Sequence, residues 1–284
     1  MTRTAARGDT VGFGVQILGI DGLGKREVLP VVERRCTAAG LSVRRVSWQS
    51  ELAAAVDGGR LGEYPYNELE RLWLELFPVF FADATVAGRR VETPRSFAEL
   101  RDSGLVERLK KSRITGMRPV SPLATGWLET AGHSLLHHSV VRPLIDAGHV
   151  VIQDSLGIKN VLKSLFMAEF AAPGHAAALA AVRDHVQDYF GRVLAPRVGV
   201  YLREDPARVL AAKNAESIGV FDTYHAFGGD PGRTFLDLQS DCAREYESFA
   251  RTHGWQIVDV NDASEAAGSA AEKVTHTILA AAAR

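Results

Sequence analysis

The sequence is poor in cysteine and contains no long uninterrupted apolar run. Its two cysteines, Cys36 and Cys242, stand far apart and lack the close spacing of metal ligands, so a reducing cytosol is the simplest interpretation. The polar start of the chain lacks the apolar stretch of a secretory signal, and no segment reaches transmembrane length. The sequence therefore predicts a soluble protein of the cytoplasm.

An excess of one charge sign is also missing. The chain has 33 Lys and Arg against 34 Asp and Glu, which gives a net charge of −1. This balance argues against a broad surface for nucleic acid or for a membrane. Apolar residues make up 46% of the 284 residues, which is enough for a full core. We expect a small molecule as the partner, and the composition leaves a homodimer open.

Short apolar segments alternate with helical patterns along the chain. The predicted strands are residues 11–18, 41–47, 149–154, 197–202 and 255–260. The predicted helices are residues 27–39, 66–81, 123–147, 159–171 and 175–190, a helix beginning at 205–206, and residues 234–253 and 264–283. This alternation predicts a three-layer α/β fold with a mainly parallel, five-stranded sheet. No internal repeat is visible, and we treat residues 1–284 as one domain.

Two stretches interrupt this regularity. Residues 83–122 contain the turn dipeptide Thr93-Pro94 and the basic run RLKKSR, and they predict an insertion or lid with one short helix over 97–110. Residues 214–232 contain four glycines and Pro231, which predicts a second, lid-like loop.

A glycine-rich turn, GIDGLGK, joins the first predicted strand to the first predicted helix. Glycines in this setting let successive backbone N–H groups converge on phosphate oxygens, and the helix N-terminus adds the positive end of its dipole. A lysine at the end of the turn places a point charge on the transferred phosphoryl group. The alternative is a plain turn with a surface lysine. We predict a nucleotide site formed by Gly19, Asp21, Gly22, Leu23, Gly24, Lys25, Arg26 and Glu27.

The loop and three further segments resemble the thymidylate kinases, a family of P-loop nucleotide kinases. These segments are VVRPLIDAGHVVIQDS (residues 140–155), VGVYLREDPARVLAAK (residues 198–213) and the final helix-strand-helix run from Tyr246. The resemblance covers most of the chain except residues 83–122. It implies a P-loop NTPase fold, binding of ATP and Mg²⁺, and transfer of the γ-phosphoryl group to an acceptor. Lys25 is then the catalytic lysine, and Asp21 corresponds to the family's contact with the acceptor sugar.

The residues after Lys25 depart from the family. Thymidylate kinases usually place a hydroxyl on Mg²⁺ here, whereas this chain has Arg26-Glu27. Glu27 is a candidate metal ligand, and Arg26 is a candidate for stabilising the transition-state charge. The alternative is an ordinary first helical turn, in which the dipole favours Glu27.

The acceptor side departs further. The resemblance places Asp154 near the metal, but Ser155 stands where the family has an arginine for the acceptor phosphate. His133 falls near a second expected arginine, so His133 and Ser155 are the candidate acceptor contacts. Neither can supply an arginine's bidentate grip. We therefore expect a non-standard acceptor, still open to a nucleotide-like one, rather than thymidine monophosphate.

The lid-like loop is followed by Arg233, a candidate catalytic cation that could close over phosphates, or else an exposed arginine at a helix start. The sequence leaves three classes open. The first is an ATP-dependent phosphotransferase. The second is a pseudokinase that binds nucleotide without efficient transfer. The third is an interaction protein that uses residues 83–122 as its contact. The intact glycines and Lys25 favour the first two classes.

Overall fold

Five parallel strands form the centre of the protein. The computed structural model describes residues 11–22, 25–86, 88–110, 112, 114–153, 157–213, 218–260 and 263–284, leaving aside the side chains of residues 26, 110, 220 and 263–267. The strands of this sheet are β1 (Phe13–Leu18), β2 (Val43–Val46), β6 (Val150–Gln153), β7 (Val198–Arg203) and β8 (Gln256–Asp259). Their order is β2-β6-β1-β7-β8, so β1 lies in the middle and is buried along its whole length.

The register of the sheet brings the carboxyl ends of the central strands together. Gln16 of β1 pairs with Gln153 of β6, and Leu18 of β1 pairs with Tyr201 of β7. In open parallel sheets, ligands bind outside the carboxyl ends of the strands, where the strand order reverses. Here that point lies at the end of β1, directly before the glycine-rich turn.

Helices cover both faces of the sheet and make the fold three-layered. The helices are α1 (Lys25–Ala38), α2 (Trp48–Asp57), α3 (Tyr66–Phe80), α4 (Phe97–Ser103), α5 (Leu105–Lys110), α6 (Val120–Leu136), α7 (Arg142–Asp146), α8 (Gly157–Ala171), α9 (Ala176–Arg192), α10 (Pro206–Ala212), α11 (Pro231–Thr252) and α12 (Ala263–Ala282). Helix α1 packs against α12, while α6 contacts both α3 and α8, and α8 also contacts α9 and α11. The predicted fold class is confirmed: the sheet is all-parallel and the architecture is consistent with that of P-loop proteins.

The helix boundaries differ from the sequence prediction in several places. Helix α2 was not predicted, although Ser47 and Ser50 form a capping box at its start. The predicted helix over residues 97–110 is two helices, because Gly104 takes a left-handed conformation with φ +62° and ends α4. The predicted helix over residues 123–147 begins earlier, at Val120, and its regular hydrogen bonding widens into a π-helical turn at His137–Val141.

Residues 83–122 contain a small sheet of their own. Strands β3 (Thr85–Val86), β4 (Arg89–Arg90) and β5 (Ile114–Thr115) pair in antiparallel order β4-β3-β5. Helices α4 and α5 lie between β4 and β5 in the chain, and their apolar residues Phe97, Leu100 and Leu109 are buried in the main core. This insertion is therefore packed onto the rest of the protein.

Within the described residues, no single helix is both long and apolar enough to cross a membrane. The segments Gly157–Ala171 and Pro173–Arg192 reach that length and composition only when counted together, and they are bent by 114° relative to each other.

Candidate active site

The glycine-rich turn begins where β1 ends and finishes where α1 begins. The structure describes Gly19 to Gly22 and then Lys25, while Leu23 and Gly24 lie outside the described residues. Gly22 has φ +87°, and a Cβ added there would stand 2.6 Å from Cε of Lys213 and 2.8 Å from Cγ1 of Val209. Glycine is therefore required at residue 22, both for the backbone conformation and for the close approach of α10.

Lys25 folds back over the turn. Its Nζ donates a hydrogen bond to the carbonyl oxygen of Gly19 at 2.7 Å, and the side chain is partly buried. The hydrogen bond spans the turn from its last residue to its first. The ammonium group of Lys25 thus lies beside the turn, within reach of a phosphate that the backbone N–H groups of the turn would bind.

Asp21 is the centre of a buried ion cluster. Its carboxylate contacts the ammonium group of Lys159 and, at 2.9 Å, that of Lys163, both from α8. Burial alone would raise the pKa of Asp21, but Lys159, Lys163 and Lys25 outweigh it and hold that pKa well below its ordinary value. Asp21 is therefore firmly ionised and ties α8 to the turn.

A second aspartate comes from the predicted lid-like loop. Asp222 lies 3.4 Å from Nζ of Lys163 and 3.6 Å from Nζ of Lys213. Burial and the nearby Asp21 raise the pKa of Asp222. Burial would lower the pKa of Lys163, but Asp21 and Asp222 outweigh it and raise that pKa. We name the lysines 25, 159, 163 and 213 with the aspartates 21 and 222 the lysine cluster; its lysines outnumber its carboxylates by two.

Helix α11 fixes the backbone of both aspartates. Gln239 is fully buried, accepts a hydrogen bond from the backbone N–H of Asp21 at 3.1 Å and donates one to the carbonyl oxygen of Asp222 at 3.0 Å. Tyr246, two turns further along the same face of α11, donates a hydrogen bond to the carbonyl oxygen of Lys159 at 3.1 Å. The turn, the lid-like loop and α8 are thus held by one helix.

A cavity of about 200 Å³ adjoins the lysine cluster. Its apolar wall is formed mainly by aromatic residues of α3, and its polar wall by α6 and α8. Lys163 belongs to both features, since its side chain lines the cavity while its ammonium group contacts Asp21. The lining residues are Trp73, Leu76, Phe77, Phe80, Phe81, Val106, Thr125, Glu129, Asn160, Lys163, Ser164, Met167 and Phe221.

Glu129 is a buried acid in the polar wall of this cavity. It is 9% exposed, and Oε1 accepts a hydrogen bond of 3.4 Å from Nδ2 of Asn160. The other oxygen, Oε2, lies 3.3 Å from Nε2 of His133, in a geometry too poor for a hydrogen bond, and is buried with none from the described residues. A buried carboxylate oxygen without a hydrogen bond is costly, and the imidazole of His133 is the described group that faces it.

His133 lies behind Glu129 and is not among the described residues that line the cavity. Its ring packs edge-on against Trp48, with the ring centroids 5.5 Å apart. A Cβ added at Gly157 would overlap the same ring, so the start of α8 presses on His133. The side chain is thus placed to orient Glu129, and its predicted role as an acceptor contact stays a prediction.

Gly132 allows α6 to pass close to the buried indole of Trp48. A Cβ added at Gly132 would overlap that ring, which is held in place by a 3.0 Å hydrogen bond to the carbonyl oxygen of Leu69. The indole also packs against Trp73, which lines the cavity. We expect Gly132→Ala to lower the free energy of unfolding by about 1–3 kcal/mol through overpacking, as measured by urea denaturation.

Gly126 provides the matched control in the same helix. A Cβ added there would find its nearest neighbour, Cβ of Ser164, at an ordinary 3.6 Å. Gly126→Ala is therefore expected to stabilise the protein by up to about 1 kcal/mol, because alanine is the better helix former. Equal effects of the two substitutions would contradict the packing argument.

The other predicted site residues are only partly brought together. Glu27 is exposed in the first turn of α1, and Arg233 is exposed in the first turn of α11, where Asp230 caps the helix. Asp154, Ser155 and the side chain of Arg26 lie outside the described residues, so their predicted roles stay predictions. Within the described part of the chain, no three His, Cys, Asp or Glu side chains are grouped as metal ligands would be.

Five residues of the lysine cluster and its support were not predicted from the sequence: Lys159, Lys163, Lys213, Asp222 and Gln239. Lys159 and Lys163 did carry a signal, because two lysines spaced by four residues share one face of an otherwise apolar helix. Asp222 carried none, since it lies in a stretch of glycines and turns. Gln239 carried no signal either, because in the sequence a glutamine of an amphipathic helix is expected on the exposed face.

No protein-family model matches the chain, and no curated protein matches it.

Proposed function

We propose that the protein is an ATP-dependent phosphotransferase, similar to thymidylate kinase, that acts on a small-molecule acceptor other than thymidine monophosphate. The observation that carries the proposal is the position of Lys163, which contacts Asp21 of the glycine-rich turn at 2.9 Å and also lines the cavity. A phosphate donor on the turn and an acceptor in the cavity would lie on either side of this one lysine. Proximity of this kind is the main contribution of a kinase to its reaction.

ATP would bind with its phosphates on the turn and on the start of α1. Backbone N–H groups there and the positive end of the helix dipole favour an anion. The excess of lysines over aspartates in the lysine cluster favours it further. Lys25 would contact the γ-phosphoryl group, and Arg26 and Arg233 would add charge from either end of the nucleotide.

Mg²⁺ is the metal that ATP requires as a phosphate donor. Two of the carboxylates predicted from the sequence, Glu27 and Asp154, are the candidate ligands. Asp21 and Asp222 are engaged by lysines, whereas Glu27 is exposed at the start of α1. Glu27 and Asp154 would therefore hold the ion, directly or through water. When bound, Mg²⁺ supplies charge neutralisation on the phosphate oxygens.

The transfer itself needs only alignment and charge. A nucleophilic oxygen of the acceptor attacks the γ-phosphorus of ATP, the bond to the β–γ bridging oxygen breaks, and ADP leaves. The acceptor proton passes to a base or to solvent. The ammonium groups of Lys25 and Lys163 would stabilise the charge on the transferred group, since preorganised cations act strongly where water is excluded.

A nucleotide-binding protein without efficient transfer is the second candidate. Two observations favour it: Arg26 replaces the metal-binding hydroxyl, and Lys159 and Lys163 are already paired with aspartates. Phosphates would have to compete with those carboxylates, which weakens the hold on the transferred group without preventing nucleotide binding.

Thermal unfolding with ADP and with ATP, each with and without Mg²⁺, tests the nucleotide site. A ligand present at 100 times its Kd stabilises the native state by about 2.7 kcal/mol, so the melting temperature is expected to rise. No rise at millimolar nucleotide would contradict both candidates. ADP formation from ATP with a panel of nucleosides and nucleotides then separates the two. Stabilisation without ADP formation in any mixture would leave the pseudokinase and remove the enzyme.

Glu27 allows the metal assignment to be tested without an acceptor. We expect Glu27→Ala to raise the Mg²⁺ concentration needed for tight ADP binding, and Glu27→Thr to restore it, because threonine returns the hydroxyl that the family uses. The measurement is ADP affinity across a Mg²⁺ titration.

Two other results are informative in the Mg²⁺ titration. If Glu27 serves only the helix dipole, alanine costs about 0.3–1 kcal/mol of stability and leaves the metal dependence unchanged. If its carboxylate mainly repels phosphates, alanine tightens ADP binding. Either result would contradict a role for Glu27 in holding Mg²⁺.

A further inference from the structure

The cavity beside the lysine cluster has walls of two distinct chemistries. Helix α3 supplies a nearly continuous aromatic wall, and Phe221 of the lid-like loop closes over it, with its ring centroid 5.0 Å from that of Phe80. Aromatic walls favour flat, apolar-faced ligands, which stack or pack edge-on against the rings. The volume of about 200 Å³ exceeds the roughly 150 Å³ of an apolar cavity that takes up benzene, so one small ring system fits.

The wall formed by α6 offers hydrogen-bond acceptors. Glu129 presents a carboxylate, which accepts and does not donate. Thr125 lies one turn earlier, and its hydroxyl donates to the carbonyl oxygen of Ser121 at 2.8 Å. Its proton is therefore committed, and its oxygen is left to accept. A ligand edge facing α6 must consequently carry donors.

The positive charge at the mouth of the cavity is already balanced. Lys163 is the one described lining residue with a positive charge, and it contacts both Asp21 and Asp222. An anionic group deep in the cavity would meet Glu129 without a compensating cation from the described lining. Burying such a group is costly, so the ring itself must be uncharged or cationic.

We propose that this cavity is the acceptor site and that Glu129 selects an uncharged flat ring whose edge donates hydrogen bonds to α6. The proposal rests on the phosphotransferase function and names its acceptor class. A ring with an N–H beside an amino group, as in guanine, offers two adjacent donors to the hydrogen-bond acceptors of α6. A thymine ring does not, because its N–H is flanked by carbonyl oxygens that would face the carboxylate of Glu129.

His133 acts here as a positioning residue. Its ring, confined by Trp48 and by the start of α8 at Gly157, leaves Glu129 little freedom to turn away from the cavity. Asn160 restrains Glu129 from the other side, through its hydrogen bond to Oε1. The carboxylate is thus held in place before any ligand arrives, which preserves its discrimination between ring edges.

The test measures binding of guanosine and thymidine, followed by quenching of tryptophan fluorescence, since Trp73 lines the cavity. Guanosine is expected to bind at least about tenfold more tightly than thymidine. Glu129→Gln keeps the shape of the side chain but presents an amide in place of the carboxylate. It is therefore expected to weaken the binding of guanosine by about 10- to 100-fold and to reduce the difference in affinity between guanosine and thymidine. Glu75→Gln, on the exposed side of α3, is the matched control and should change neither affinity.

The outcomes separate this inference from the proposed function. Thymidine binding as tightly as guanosine, no binding of either nucleoside, or an unchanged guanosine affinity in Glu129→Gln would each overturn it. ADP affinity is measured on the same samples. If ADP binds and guanosine does not, the acceptor assignment fails alone. If ADP does not bind, the proposed function fails, whereas selective guanosine binding would still support the ring site.

Discussion

Replacing Lys163 by methionine is expected to destabilise the protein by about 3 kcal/mol. Methionine keeps the unbranched stem of the side chain, so the loss falls on the ion pairs. Lys163 is only 9% exposed and contacts Asp21 and Asp222, whose side chains are 15% and 21% exposed. Removing one partner of a buried ion pair leaves an uncompensated charge, which typically costs 3–5 kcal/mol. We take the lower end because Lys159 and Lys213 remain beside the two carboxylates.

The measurement is the melting temperature, with urea denaturation for the free energy. At this chain length, 3 kcal/mol corresponds to a fall of roughly 6–12 °C. Lys273→Met, an exposed lysine on α12, is the control and is expected to change stability by less than about 0.5 kcal/mol. A Lys163 variant as stable as this control would contradict the assignment of a tight buried cluster.

A double variant tests which of the two aspartates is destabilised when Lys163 is removed. Burial and the nearby Asp21 raise the pKa of Asp222, so the charged form of Asp222 is less well stabilised than that of Asp21. Asp222→Asn in the Lys163→Met background is therefore expected to recover part of the lost stability. Strictly additive effects of the two substitutions would mean that the two side chains do not interact.

The fold was predictable because its signals are local. The central strands β1, β6 and β7 are short, mainly apolar runs, and Gly40 and Gly148 end the helical segments before β2 and β6 with positive φ. The glycine-rich turn also lies where the sequence places it, between β1 and α1. The period of the apolar residues, the helix caps and the positions of glycines all depend on residues close in sequence, so they can be recognised without tertiary information.

The site was less predictable because its contacts are distant in sequence. Asp21 meets Lys163 across 142 residues, and the partner of Lys163, Asp222, lies a further 59 residues along the chain. The resemblance to thymidylate kinases predicts that Asp21 contacts the acceptor sugar, whereas in the structure two lysines contact its carboxylate. These groups come together only in the fold, where α8 packs against α11.

The cavity was missed for the same physical reason. The aromatic residues of α3 look like ordinary core in the sequence, since an apolar helix face predicts burial and does not say what it packs against. Glu129 is spaced like a surface residue of α6, yet it is 9% exposed because α8 and His133 cover it. A buried acid of this kind marks a functional site only once its neighbours are known.

Replacing Lys25 by methionine is expected to weaken ATP binding by about 10- to 150-fold, the equivalent of the 1.5–3 kcal/mol of one charged hydrogen bond. Stability should change less than in Lys163→Met, because the ammonium group of Lys25 is only partly buried, whereas that of Lys163 lies in a buried ion cluster.

The loss at Lys25 should be larger for ATP than for ADP, since a lysine in this position reaches the β- and γ-phosphates. Isothermal titration calorimetry with both nucleotides measures the difference directly. Lys25→Arg keeps the charge but not the compact ammonium group, so it is expected to recover only part of the ATP affinity. Equal losses for ATP and ADP would place Lys25 away from the γ-phosphate. An unchanged ATP affinity would mean that the turn does not bind nucleotide, and the phosphotransferase proposal would then fail with it.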